Sequence, residues 1–130
     1  MTIKILLADD SQTFVTAVRK FLDMLPGTEV VGQAHDGREA LSKAGQLAPD
    51  LVLLDISMPE LNGLEVARHM RSWPQPPHVV FLSMHDSVDY RAAAQELGAA
   101  GFVGKTDFVV DLPPIIERLF LTKLEPFQNV

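Results

Sequence analysis

"LVLLDISMPELNGLEVAR", residues 51–68, holds a strand, a turn and the start of a helix in one passage. Leu51 to Leu54 is an unbroken aliphatic run, the pattern of a strand buried on both faces of a parallel sheet. It stops on Asp55. Asn62-Gly63 punctuates the turn, and a helical pattern follows through Arg71.

Working outward, the same alternation covers the chain. Four more apolar stretches predict strands: "IKILLA" (3–8), "TEVVGQA" (28–34), "HVVFLS" (78–83) and "GFVGK" (101–105). Between them lie helical patterns. Phe14, Ala17, Val18, Phe21, Leu22 and Leu25 form an i, i+3, i+4 stripe that ends at Pro26-Gly27. A second helix is predicted from its N-cap Asp36 to the Pro49 breaker, and a fourth from Ser87 to Leu97, stopping at Gly98. In the last, Leu112, Ile115, Ile116, Leu119 and Phe120 share one side, which puts Pro113 and Pro114 near its first turn. Five consecutive βα units imply an α/β fold, an open parallel sheet with helices on both faces. Ligands of such sheets bind beyond the carboxyl ends of the strands.

Composition narrows the classes. The 130 residues suit one domain, and 47% apolar with 22% charged residues is ordinary for a globular chain. The net charge of −6 without a Lys/Arg block argues against direct nucleic acid binding. No run is long enough to span a membrane, no signal peptide is visible, and cysteine is absent, so the cytoplasm is the expected location.

The predicted strand ends carry the chemistry. The first ends at Asp9-Asp10, the third at Asp55, the fourth at Ser83 and the fifth at Lys105. Each alone has an ordinary structural role: Asp10 or Ser11 as a helix cap, Asp55 as a turn residue, Ser83 as a satisfied hydroxyl, Lys105 as a surface cation. Together at one edge they form a constellation. Three carboxylates against one ammonium leave an excess of negative charge that a divalent cation would cancel, and an all-oxygen donor set favours Mg²⁺. Asp55 beside a metal and a lysine suits nucleophilic acceptance of a phosphoryl group. Ser83 can donate a hydrogen bond to that group.

With these residues in place, the chain resembles the receiver domain of two-component response regulators. "LLADDSQ", "LVLLDISMPELNGLEVAR", "FLSMHD" and "GFVGKTDF" are similar to that family's signature blocks, in order and spacing. The resemblance implies a flavodoxin-like (βα)5 doubly wound parallel sheet with strand order 2-1-3-4-5. It implies that Asp9 and Asp10 hold Mg²⁺, Asp10 more directly, with Asp55 and the backbone carbonyl of Ser57. Asp55 would accept phosphate from a histidine kinase or histidine phosphotransfer protein, with Ser83 and Lys105 contacting the phosphoryl group. Ser83 and Phe102 would be the switch pair, the aromatic moving into the space the hydroxyl vacates. Thr106 departs from the family pattern, in which a proline often follows the lysine in a cis bond, and leaves that geometry open. "GFVGKTD" and "MPELNGLEVAR" resemble the subgroup that usually carries a LuxR/NarL-type helix-turn-helix output domain.

The expected organisation is a receiver domain over 1–125 and a tail over 126–130, with no output domain in this chain. Its output face, over residues 86–122, would bind an effector protein or a second copy. His35, His69, His78 and His85 lack metal-ligand spacing, although His85 and Ser57 border the expected phosphorylation site. Met58 and Trp73 are expected to pack, and Val15 either packs or meets a kinase. Alternatives are weaker. A haloacid dehalogenase-type phosphatase wants a second aspartate where "DIS" places Ser57. A flavin-binding loop would not be the acidic, glycine-free "DDSQTF". A receiver-like interaction module that takes no phosphate keeps the fold and loses the chemistry.

Overall fold

Each aliphatic run forms a strand: β1 (Ile3–Ala8), β2 (Thr28–Ala34), β3 (Leu51–Asp55), β4 (His78–Ser83) and β5 (Gly101–Gly104). The structure is a computed structural model that describes residues 2–85 and 87–124, those after Phe120 as backbone only. The strands pair in parallel in the order β2-β1-β3-β4-β5. Helices α1 (Gln12–Asp23), α2 (Gly37–Leu47), α3 (Gly63–Arg71), α4 (Val88–Glu96) and α5 (Phe108–Leu124) make the crossovers. The sheet is flavodoxin-like and doubly wound.

The continuous aliphatic strands follow from cover on both faces. Leu6, Val52, Leu54 and Phe81 point to one side, against Ala40 and Ala44 of α2, Val66 and Met70 of α3, and Ala94 of α4. Ile5, Leu7, Leu53, Val80 and Leu82 point to the other, against Val15, Val18 and Leu22 of α1 and Leu112 and Ile116 of α5. Alternate residues thus enter two separate cores, and neither face can tolerate polar residues. All five residues of β3 are buried, including its terminal carboxylate.

The helix starts are set by side-chain caps. Ser11, Asp36, Asn62 and Ser87 each accept a backbone N–H three residues on, and Asn62 forms a reciprocal capping box with Glu65. α1 ends sooner than its stripe suggests, at Asp23. Ala17, read into that stripe, is exposed, and its place in the core belongs to Val15, 1% exposed and therefore closed to a partner. Met58 and Trp73 pack against the first core as expected.

Two further boundaries differ from the sequence pattern. β5 closes at Gly104, so Lys105 leaves the strand, although its N–H still bonds the Ser83 carbonyl at 2.9 Å. α5 begins at Phe108, four residues before the predicted apolar stripe, so Pro113 and Pro114 lie inside the helix and not in its first turn. The carbonyls of Val109 and Val110 therefore lack the amide donors a regular helix would supply. Both valines are exposed, at the solvent side where such carbonyls can be hydrated. The backbone kinks at Phe120 (φ −124°, ψ 26°). No cis peptide bond occurs among the described residues, so the bond before Thr106 is trans. Residues 125–130, which include the expected tail, lie outside the described residues.

Candidate acidic site at the carboxyl edge

The chain leaves β1 toward β2 on one side and β3 toward β4 on the other, so a crevice opens between β1 and β3 at their carboxyl ends. Asp9 and Asp55 face into it. Asp9 directly follows β1, held by its N–H to the Ala34 carbonyl at 3.0 Å. Its Oδ1 accepts the Ser11 N–H at 2.8 Å, while Ser11 Oγ caps α1. The turn into the helix thus orients the acid.

Asp9 and Asp55 are 2% and 4% exposed, while Asp10 is open to solvent. One carboxylate oxygen from each lies within 4.8 Å of the others, the one His/Cys/Asp/Glu cluster with metal-ligand spacing among the described residues. Lys105 reaches in from the β5–α5 connection. Its Nζ stands 2.6 Å from Asp9 Oδ2 and 3.4 Å from Asp55 Oδ2, and its side chain is 8% exposed. The Asp9 contact is an ion pair out of hydrogen-bond alignment, so this buried oxygen has no aligned hydrogen bond. Asp55 Oδ1 accepts the Ser57 N–H at 3.2 Å.

One cation does not neutralise this site. Burial, and then the charge of Asp9, push the Asp55 carboxyl up from 3.8 to about 7, against the opposing pull of Lys105 and the Ser57 N–H. A buried acid beside a second acid holds its proton near neutrality, and a further cation would release it.

The glycine of Asn62-Gly63 does more than punctuate a turn. A Cβ on Gly63 would sit 2.2 Å from the Asp55 carbonyl oxygen, and the Gly63 N–H bonds the Ile56 carbonyl at 2.8 Å. The start of α3 is thereby laid directly on the backbone that carries Asp55.

Ser83 is 5% exposed, but its hydroxyl is committed to its own turn. It donates to the His85 carbonyl at 2.9 Å and accepts the His85 N–H at 3.0 Å. Phe102 is half-buried against the first core, with the Arg91 guanidinium 4.6 Å above its ring. Ser57 is exposed next to Asp55, His85 is exposed beside Ser83, and Tyr90 lines the adjoining groove with Asp10, Ser57 and Met58. His35 instead pairs with Glu39 at 3.2 Å and Gln12 at 3.0 Å. Sequence reasoning missed Phe14, whose ring centroid lies 4.8 Å from Lys105 Nζ. Its place in the apolar stripe, one helical turn beyond Asp10, was the available signal.

Comparison with known proteins converges on one family. Residues 5–116 match the response regulator receiver domain. The chain is 41% identical over 112 residues to a protein-glutamate methylesterase/protein-glutamine glutaminase of Geobacillus kaustophilus, covering 85% of this chain and 32% of that protein. It is 36% identical over 119 residues to the response regulator GacA of Pseudomonas syringae, covering 91% of this chain and 55% of that protein. Among solved structures, the signal receiver domain of the putative response regulator NarL from Mycobacterium tuberculosis superposes with a TM-score of 0.82 at 31% identity, covering 94% and 96% of the two chains. The chain therefore spans about a third to about half of the curated relatives it matches. Among the described residues no helix is long and apolar enough to cross a membrane.

Proposed function

The chain belongs to the response regulator receiver domain family, and on that footing we propose that Asp55 is its phosphoacceptor. The observation that carries this reading is the convergence of the Asp9, Asp10 and Asp55 oxygens within 4.8 Å, with Lys105 between two of them.

The donor set fits Mg²⁺. All ligand atoms are carboxylate oxygens, the buried Asp9 Oδ2 has no aligned hydrogen bond, and the excess negative charge calls for a hard cation. Asp9, Asp10 and Asp55 would hold it, with the Ser57 carbonyl as the further ligand the family pattern suggests. A bound Mg²⁺ would shield the negative charge on the transferring phosphoryl oxygens.

The protein's own groups do the rest. An Asp55 carboxylate oxygen attacks phosphorus while the phosphorus–nitrogen bond of a phosphohistidine donor breaks. The released imidazole keeps the bonding pair and takes up a proton. The Lys105 ammonium neutralises charge on the incoming group, as preorganised donors do at developing charge. Ser83 can serve as a donor to the phosphoryl group once its hydroxyl leaves the His85 carbonyl. That release, coupled to an inward movement of Phe102, is the proposed switch.

The proposed partners are a histidine kinase or histidine phosphotransfer protein as donor, and an effector or second copy at the output face. That face spans residues 86–122, of which Asp86 lies outside the described residues and 121–122 are described as backbone only. The role is regulatory, with self-catalysed gain and loss of the phosphoryl group in the cytoplasm and no direct contact with nucleic acid. Residues 1–125 form the proposed receiver unit.

Incubation with a small phosphodonor and Mg²⁺ should add one phosphoryl group by intact-mass spectrometry. The addition should vanish in Asp55→Asn and on hydroxylamine treatment. An unchanged mass across a range of donors would overturn the assignment in favour of an interaction module that takes no phosphate.

A further inference from the structure

Lys105 is held on three sides. Asp9 Oδ2 and Asp55 Oδ2 occupy two of them at 2.6 and 3.4 Å. The third is the face of Phe14, whose ring centroid is 4.8 Å from Nζ. The Phe14 backbone is tied to the same place, because its N–H bonds Ser11 Oγ at 3.3 Å and the Ser11 N–H bonds Asp9 Oδ1 at 2.8 Å. The Phe14 ring also meets Phe108 edge-on at 5.5 Å, and Phe108 meets Phe21 in the same way at 5.6 Å. Phe108 is the first residue of α5, three residues beyond Lys105. The loop that carries the lysine is therefore anchored to α1 through one aromatic stack, and its ammonium sits on the ring at the head of that stack.

We propose that Phe14 is a positioning residue, whose ring face holds the Lys105 ammonium between Asp9 and Asp55 in readiness for the incoming phosphoryl group. The ring offers a cation a partner with no proton-accepting atom and no formal charge. Lys105 is thus desolvated without being locked into an aligned hydrogen bond with Asp9, its nearer acid, and it stays able to turn toward phosphoryl oxygens. A ring face in water-poor surroundings holds a cation by a modest but useful margin. An aliphatic side chain would fill the same volume without that attraction, and the lysine would settle on Asp9. The proposal rests on Asp55 being the phosphoacceptor.

The test replaces Phe14 in the full chain by leucine, by tyrosine and by progressively fluorinated phenylalanines. Fluorination withdraws electron density from the ring face at nearly constant shape, so it separates the electrostatic role from packing even where Phe14→Leu folds poorly. With Mg²⁺ and a small phosphodonor, the rate of phosphoryl acceptance should fall stepwise along the fluorinated series. Phe14→Leu should be about threefold to tenfold slower than the native chain, and Phe14→Tyr close to it. A second readout needs no phosphorylation. The Lys105 ε-methylene resonances should be ring-current shifted in the native chain and return toward ordinary lysine values in Phe14→Leu. A rate that stays flat along the fluorinated series, or ε-methylene resonances without a ring-current shift, would overturn the proposal. Failure of the phosphoacceptor assignment looks different: phosphoryl addition would persist in Asp55→Asn, while the lysine resonances would still report the ring contact.

Discussion

β3 has an aspartate at each end, and the two could hardly be treated more differently. Asp50, just before the strand, accepts the Lys4 N–H on its carboxylate at 2.8 Å. Its own backbone bonds the Lys4 carbonyl at 2.8 Å and the His78 N–H at 3.1 Å, joining three strands at their amino edge. Asp55, at the carboxyl end, faces Asp9 and shares a single lysine with it. One acid accepts a backbone N–H and ties β1 to the start of β3. The other is left with an electrostatic deficit that only a further cation or a proton removes. The difference marks which end of a parallel sheet is built for chemistry: at the amino edge carboxylates complete hydrogen bonding, while at the carboxyl edge they are brought together against their repulsion.

The sharpest way to break that contrast is to remove the shared cation. Lys105→Met keeps the apolar stem and deletes the charge. The proposed phosphoryl acceptance by Asp55 should slow by about a hundredfold, the scale of losing one preorganised donor to developing charge. In the absence of divalent cations, the fold should also lose about 3 kcal/mol at pH 8, because two buried acids remain without their partner. The loss should shrink at pH 6, where Asp55 takes up a proton. Denaturant titrations at the two pH values would check this, and equal losses at both would refute the shared-cation picture.

The native chain should show a gentler form of the same effect. The Asp55 carboxyl, pushed up to about 7 from 3.8, binds its proton more tightly in the fold than in the unfolded chain. Its contribution is therefore fully present below the ordinary carboxylate range and is lost as pH rises through about 7. Thermal melts in a chelating buffer should show stability falling over that window. Mg²⁺ should flatten the slope by supplying the missing charge, and Asp55→Asn should flatten it without metal. A slope that persists in Asp55→Asn would mean another group carries it.

How much of this was legible depends on how local each feature is. The aliphatic runs, the cap Asp36, the helix starts at Asn62-Gly63 and Ser87, and the residues at the strand ends could be read because each depends on its neighbours along the chain. The parallel sheet followed from them by connectivity rules. The contents of the rim were legible as residue types but not as contacts. That Lys105 stands nearer Asp9 than Asp55, or that the Ser83 hydroxyl bonds the His85 backbone, depends on segments folding back with sub-ångström placement. Phe14 shows the limit most clearly. Its spacing marked it as core, and it packs half-buried against the second core, but the cation on its face comes from residue 105, beyond any periodicity in α1. The prolines of α5 misled for a related reason. Propensity placed them in a first turn, while the contacts of Phe108 with Phe14 and Phe21 accompany a helix that starts one turn earlier.

The smallest effect tests the other half of the comparison. Asp50→Ala removes a carboxylate that accepts a backbone N–H at the start of β1, and leaves every residue of the acidic cluster unchanged. If the amino edge serves the fold alone, stability should fall by about 1 to 2 kcal/mol, the scale of a hydrogen bond to a charged group. Phosphoryl acceptance by the folded fraction should then stay close to that of the native chain. Asp50→Asn should recover part of the stability, because its amide oxygen can still accept the Lys4 N–H without the charge. Urea titrations paired with intact-mass time courses separate these quantities. The opposite pattern, a slowed reaction with native stability, would show that the register of β1 against β3 reaches the far rim. Ala8 pairs with Leu54 one step before Asp9 and Asp55, so a slip in that ladder would separate the very acids the site brings together.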